Sequence, residues 1–262
     1  MHPLLFSIGP FHLYGYGAMI VLGGLLSLGW LRSRGARAGF RNPDDFWLIV
    51  DAILLGGFLG GRLFYLFVYT RPFSADFWDS AFSASHGFSV LGAFAGVPLC
   101  VWGVCRWRGI PVGKLFDNIG VVAPFWHVFG RFGCFLAGCC HGRPTSVPWA
   151  VVFRDPKSQV RPDLLGVPIH PAQLYEAFGN ALIALALYRL LLKTEAEGRR
   201  PGLVIGAYFI AYGLERTFLE FYRGDTVPAG FLSLTAGQAT GLGLMAGGAA
   251  VLFWRSRCSP SC

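Results

Sequence analysis

Apolar residues in this chain run continuously for stretches of about 20 positions instead of alternating, which predicts membrane-crossing helices and argues against a barrel of strands. Seven windows carry the pattern: His12–Leu31, Phe46–Tyr69, Gly87–Cys105, Leu115–Gly138, Pro171–Leu192, Gly202–Tyr222 and Leu234–Trp254. The predicted architecture is an all-α integral membrane protein, one domain over residues 1–262 built as a bundle of seven transmembrane helices. Four arginines interrupt the apolar runs: Arg62, Arg131, Arg189 and Arg216. Arg189 is close enough to the end of its window for the side chain to reach the interface, and the other three are too deep. A guanidinium in hydrocarbon costs at least ~2.5–3.5 kcal/mol, so those three are expected to face a shared polar interior.

Loop charges orient the bundle. Alternate loops collect twelve basic residues on one side (Arg32, Arg34, Arg37, Arg41, Arg106, Arg108, Lys114, Lys193, Arg199, Arg200, Arg255, Arg257) and six on the other (Arg71, Arg143, Arg154, Lys157, Arg161, Arg223). The positive-inside rule then puts the amino terminus outside and the carboxyl terminus in the cytoplasm. Composition agrees, with 54% hydrophobic and 14% charged residues against about 25% charged in soluble domains. The net charge of +8 is scattered over short loops, which points to anionic lipid and argues against nucleic acid. Met1–Pro10 lacks a charged segment of the kind that opens a cleavable signal peptide. Residues 139–170 are too polar to cross and hold five prolines, so they are read as a small periplasmic cap, with a short strand expected at Trp149–Phe153.

With this orientation Arg62, Arg131 and Arg216 fall in the outer half of their spans, and so do Tyr16, Ser89, Glu176 and Gln238. On the sixth span Tyr212, Arg216, Glu220 and Arg223 share one helical stripe, two arginines bracketing a carboxylate. Arginine's forked donors match phosphate oxygens, so Arg62, Arg131 and Arg216 are read together as a phosphate clamp. Glu220 is expected to pair with Arg216 or Arg223. On the second span Asp51 lies about 16 Å along the helix from Arg62, too far to neutralise it.

Five ordered blocks carry a resemblance: "YGYG" around Tyr16, "FLGGRLFYLFVY" from Phe58, "GRFGCF" from Gly130, "HPAQLYEA" from His170 and "YGLERTFLEFYRGD" from Tyr212. Through them the chain resembles the prolipoprotein diacylglyceryl transferase family from end to end. The resemblance implies transfer of the diacylglyceryl group of phosphatidylglycerol to the thiol of a lipobox cysteine, at the periplasmic side of a bacterial inner membrane. It implies phosphatidylglycerol, prolipoprotein signal peptides and membrane lipids as partners, and neither cofactor nor metal. Arg131 and Arg216 would hold the phosphate as it gains charge, with Arg62 supporting the headgroup. Tyr16, Ser89, Gly92, Tyr175, Glu176, Glu220 and Arg223 would line the site.

The chain departs from the family pattern at two places. The third span reads Ser89-Val90-Leu91-Gly92-Ala93, with Leu91 where the family carries its histidine base. The fourth reads Gly133-Cys134-Phe135-Leu136-Ala137-Gly138-Cys139, replacing two asparagines and a glutamate. Thiol deprotonation is then expected to rest mostly on the positive field of the arginines, with His127, one turn before Arg131, as the favoured helper ahead of His86 and His141. The seven cysteines include Cys134, Cys139 and Cys140 in one cluster beside His141, read as a disulfide from Cys134 to Cys139 or Cys140, a thiol relay or a soft-metal site, with the disulfide favoured. That cluster supports a membrane thiol oxidoreductase as the alternative enzyme, and a non-catalytic lipid-binding or transport bundle is the alternative of another class.

Overall fold

Every backbone amide in a membrane must be satisfied within the chain, and helices do this locally. The computed structural model describes residues 3–9, 11–70, 72–82, 87–226 and 233–257. Its elements in order are β1 (Leu4–Ile8), β2 (Phe11–Tyr14), α1 (Gly15–Ser33), α2 (Gly35–Ala38), α3 (Pro43–Tyr69), α4 (Ala75–Phe82), α5 (Val90–Arg108), α6 (Val112–Ala137), β3 (Val151–Val152), β4 (Pro168–Ile169), α7 (Ala172–Ala196), α8 (Leu203–Leu219) and α9 (Ala236–Arg257). A long helix occupies each predicted window, and five of them, α1, α3, α6, α7 and α9, are long and apolar enough to cross a membrane. Helix α8 stops at 17 residues because the chain tightens into a 3₁₀ turn at Glu220–Tyr222.

Two antiparallel strand pairs, neither part of a closed sheet, qualify the all-helical expectation. The first window does not begin at His12: that residue sits in β2, paired with Ser7, and helix starts at Gly15. In the polar segment, β3 and β4 pair through Val151↔Ile169, so the strand expected around Trp149–Phe153 forms over two residues. Phe153, Val160, Leu164 and Ile169 give this segment a small core of its own.

The chain divides into two compact units, Arg34–Leu115 and the remainder. In the first, α3 opens with a reciprocal capping box between Asn42 and Asp45. The Asp45 carboxylate accepts from the backbone N–H of Arg41 (2.8 Å) and Asn42 (3.1 Å) and from Arg108 Nε on α5 (2.9 Å), so a buried charge is fully engaged. Farther along, α3 and α5 meet at two small-xxx-small patterns, Gly56/Gly60 and Gly92/Gly96. A Cβ on Gly56 would lie 2.6 Å from the Gly96 carbonyl, and one on Gly60 or Gly92 would overlap the other's carbonyl.

In the second unit, α6 from Phe116 onward packs with α7 and α8 around Val121, Leu187, Leu191, Val204 and Tyr208. Asp117, fully buried on α6, is not a stray charge. It accepts from the backbone N–H groups of Gly202 (2.8 Å) and Ile205 (3.0 Å), capping α8 from another helix. Outward-facing residues such as Leu25 (64% exposed) and Phe218 (61%) are large and apolar, as a lipid-facing surface requires.

Removing this cap leaves two buried donors unsatisfied, at a cost of about 1–3 kcal/mol. Asp117→Ala is therefore expected to lower the thermal midpoint in detergent, and Asp117→Asn, which keeps an acceptor, to lower it less. Equal midpoints for wild type and Asp117→Ala would remove the capping role.

Candidate active site

Helical spacing on α6, α7 and α8 aligns three polar stripes: His127 and Arg131; Glu176 and Asn180; Tyr212, Arg216 and Glu220. Arg131 Nη2 lies 2.6 Å from Glu176 Oε1, and Arg216 Nη1 lies 2.8 Å from Glu220 Oε2. Each pair is asymmetric. The Glu176 and Glu220 side chains are 3% and 0% exposed, while Arg131 and Arg216 keep 15% and 14%. An incoming anion thus meets guanidinium first, with the carboxylate behind it. The Arg216–Glu220 pair was expected from the sequence, whereas the Arg131–Glu176 pair was not, and the structure holds each arginine against a carboxylate, since an unpaired charge at this burial is costly.

Glu220 pairs with Arg216 and also lies 4.0 Å from Arg223 Nε. Arg223 lies beyond the 3₁₀ turn, in extended backbone, and its fork engages Asp225 at 3.0 and 2.8 Å. Helix α9 approaches this corner through Gly237, where a Cβ would overlap Glu220 Oε2 and sit 2.5 Å from Arg216 Nη2.

Two residues that sequence reading passed over, the buried Asn180 and the half-buried Glu215, tie the stripes together. Asn180 Nδ2 donates to the Glu176 carbonyl (2.9 Å) and to Glu215 Oε2 (3.0 Å). Glu215 shares a local field with Glu176, Arg131 and Arg216. Asn180 stands one turn after Glu176, and Glu215 three residues after Tyr212; that spacing was the available signal. Gly179 makes room for Glu215, since a Cβ there would overlap its Oε1.

His127 is half-buried beside Tyr212, ring centroids 4.9 Å apart, and feels both Arg131 and Arg216. Tyr16 is 44% exposed and lies in the field of Arg131 and the three clustered cysteines. Tyr175 belongs to an aromatic group at the start of α7: its hydroxyl accepts from Trp149 Nε1 (2.6 Å) and meets His170 Nδ1 (3.2 Å), with Tyr222 beside both rings. His170 was not singled out in the sequence. His141 is fully buried, its Nδ1 on the Gly142 carbonyl at 3.1 Å.

Arg62, Ser89, Leu91 and Gly92 lie in the unit Arg34–Leu115. Arg62 donates to the carbonyls of Gly87 (3.0 Å) and Ser80. Ser89 occupies the N-cap position of α5 and its N–H donates to the Gly61 carbonyl at 3.0 Å. Gly92 packs on Gly60, and Leu91 is exposed on α5. Gln238 exchanges capping bonds with Thr235 at the start of α9 (3.0 and 3.2 Å), which accounts for its polar group without a substrate. His86, Cys258 and Cys262 fall outside the described residues.

The favoured disulfide does not form: Cys134, Cys139 and Cys140 are free thiols. After α6 the backbone turns through the left-handed region at Gly138 (φ 83°) and again at Cys140 (φ 56°), where a non-glycine residue costs about 1–3 kcal/mol. The turn is pinned by Gln173 Nε2 donating to the Cys139 carbonyl (2.8 Å) and by the Gly224 N–H donating to the His141 carbonyl (3.0 Å). The Cys140 thiol is held below its ordinary range by hydrogen bonds from the Cys134 and Cys139 thiols and then by Arg131 and Arg223, against the effect of burial.

Comparison with known proteins bears on the family to which the chain belongs. The sequence model of the family described as prolipoprotein diacylglyceryl transferase matches residues 3–254. The chain is 36% identical to the phosphatidylglycerol–prolipoprotein diacylglyceryl transferase of Rhodospirillum rubrum over 98% of its own length and 93% of the relative's. It is 35% identical to the protein of the same name from Clostridium tetani over 89% of each chain, and 36% identical to that of Azospirillum brasilense over 90% and 87%. The match runs through all the helices that carry the paired arginines, and the chain belongs to the prolipoprotein diacylglyceryl transferase family.

Proposed function

We propose that this protein transfers the diacylglyceryl group of phosphatidylglycerol to the thiol of a lipobox cysteine in prolipoproteins. A carbon–sulfur thioether bond forms, the bond from the glyceryl carbon to phosphate oxygen breaks, and glycerol phosphate leaves with the electron pair. The observation that carries the reading is the pairing of Arg131 with Glu176 and Arg216 with Glu220, inside a chain whose relatives bear that activity in their names. Each carboxylate fixes a guanidinium in a low-dielectric setting while leaving part of it reachable. A phosphate arriving there gains charge as the bond breaks, and preorganised donors stabilise that charge more than they stabilise the ground state. The family match favours this reading over a thiol oxidoreductase or a non-catalytic lipid carrier.

The same reading takes the whole chain as one seven-span bundle in a bacterial inner membrane, amino terminus outside and carboxyl terminus in the cytoplasm. The site faces the periplasm, and segment 139–170 caps it and receives the signal peptide. Between α1, α6 and α7 an apolar cavity of about 520 Å³, lined by Trp30, Phe125, Phe129, Leu185 and Tyr188 among others, suits an acyl chain. Arg62, Ser89, Gly92 and Tyr16 contribute to headgroup and lipid contacts, and Tyr175 and Arg223 to the mouth of the site. His127, beside Arg131 and Arg216, takes the thiol proton in place of the histidine that Leu91 replaces.

Two predictions test this. Arg131→Lys and Arg216→Lys keep the charge but lose the fork, and each is expected to reduce transfer on the order of 10²-fold, read by mass spectrometry of a model lipoprotein incubated with phosphatidylglycerol vesicles. Wild-type rates in both lysine variants would sink the clamp. Separately, His127→Gln is expected to slow transfer more than His141→Gln, whose ring already serves the backbone, and Leu91→His is expected to raise it. Equal rates for the two glutamine variants would take the proton-transfer role away from His127.

A further inference from the structure

The cysteine cluster has no part in the diacylglyceryl transfer proposed above. The sulfur atoms of Cys134, Cys139 and Cys140 all lie within 4.8 Å of one another. Metal–sulfur bonds of about 2.3 Å in a trigonal plane need sulfurs about 4.0 Å apart, so closing on one ion takes only a small contraction. Nothing in the helix itself would gather them, because residues past the end of α6 would ordinarily lead away from it. They are brought back by the left-handed turn at Gly138 and Cys140, and the turn is fastened from outside by Gln173 and Gly224.

From this arrangement we infer that Cys134, Cys139 and Cys140 form a three-thiolate site for a single soft monovalent cation of the copper(I) class. Zinc on the same three thiolates needs water or another group in a fourth position. The nearest imidazole in sequence, His141, meets the Gly142 carbonyl through Nδ1 and is not among the group of atoms at ligand distance. Softness decides for copper(I), since thiolates select it and three-coordination satisfies it. Three thiols lose three protons on binding, leaving a complex of net charge −2, and Arg131 and Arg223, which both act on Cys140, offset that charge. The site does not depend on the transferase reading, although Cys134 stands one turn from Arg131.

The test uses the full chain, purified in detergent, reduced, and titrated anaerobically with copper(I) against a chromogenic copper(I) chelator. One equivalent is expected to bind with a near-ultraviolet thiolate-to-copper band. Binding should be lost in Cys134→Ser, Cys139→Ser and Cys140→Ser, and retained in Cys100→Ser and Cys105→Ser. X-ray absorption on the wild-type complex is expected to show three sulfur neighbours, a readout that does not rely on any variant folding. Sulfur coordination absent from that spectrum, copper retained by the Cys134/Cys139/Cys140 triple serine variant, or zinc(II) held in preference to copper(I) would each overturn the assignment.

Discussion

A guanidinium cannot stay unpaired in an apolar phase, and much of this structure follows from that restriction. Arg131 and Arg216 each have a buried carboxylate partner, Glu176 and Glu220. Stripping one partner from a buried pair costs about 3–5 kcal/mol, a large share of the stability of any domain. The rotation of α6 about its axis is thereby coupled to that of α7, and Asn180 extends the coupling to α8 through Glu215. Packing and chemistry are served by the same contacts: the pairs that hold the helices in register also aim two cations at one region.

Close approach is the second requirement. Lipid removes most of the hydrophobic drive between helices, so contact must come from backbone-to-backbone packing. Glycines supply it where α3 meets α5, and again where α8 meets α9, at Gly213 against the Gly241 carbonyl and Gly248 against that of Gly206. At Gly237 and Gly179 the missing side chain instead admits a charged group. Glycine therefore serves two purposes in this chain, and only the neighbouring atoms tell them apart.

Two departures from the family pattern read in the sequence fall at Leu91 on α5 and just past Arg131 on α6. By the family pattern read from the sequence, Leu91 on α5 stands where a histidine base is expected, and Cys134, Ala137 and Cys139 stand where two asparagines and a glutamate are expected. Under the proposed mechanism the arginine field favours a thiolate, which reduces the demand on any one base. His127 lies within that field. The thiol cluster lies at its edge, held by a strained turn that would relax unless the surrounding contacts enforced it.

What the sequence determined by itself was whatever depends on neighbours along the chain. Runs of apolar residues set the helices because hydropathy and length act locally, and the Arg216–Glu220 pair was readable because four residues make one helical turn. The family resemblance added the arginines' proposed role. Tertiary structure decided the rest. Arg131 meets Glu176, Asn180 meets Glu215 and Asp117 caps α8 only once separate helices take their rotation and depth, and no spacing rule reaches across 35 or 85 residues. The hairpin of β1 and β2 was hidden because short apolar runs read equally as helix or strand. Cys134, Cys139 and Cys140 were visible as a cluster, yet whether their sulfurs would be bonded or open was fixed by the backbone's left-handed turn and by the side chains that pin it, which are matters of three-dimensional contact.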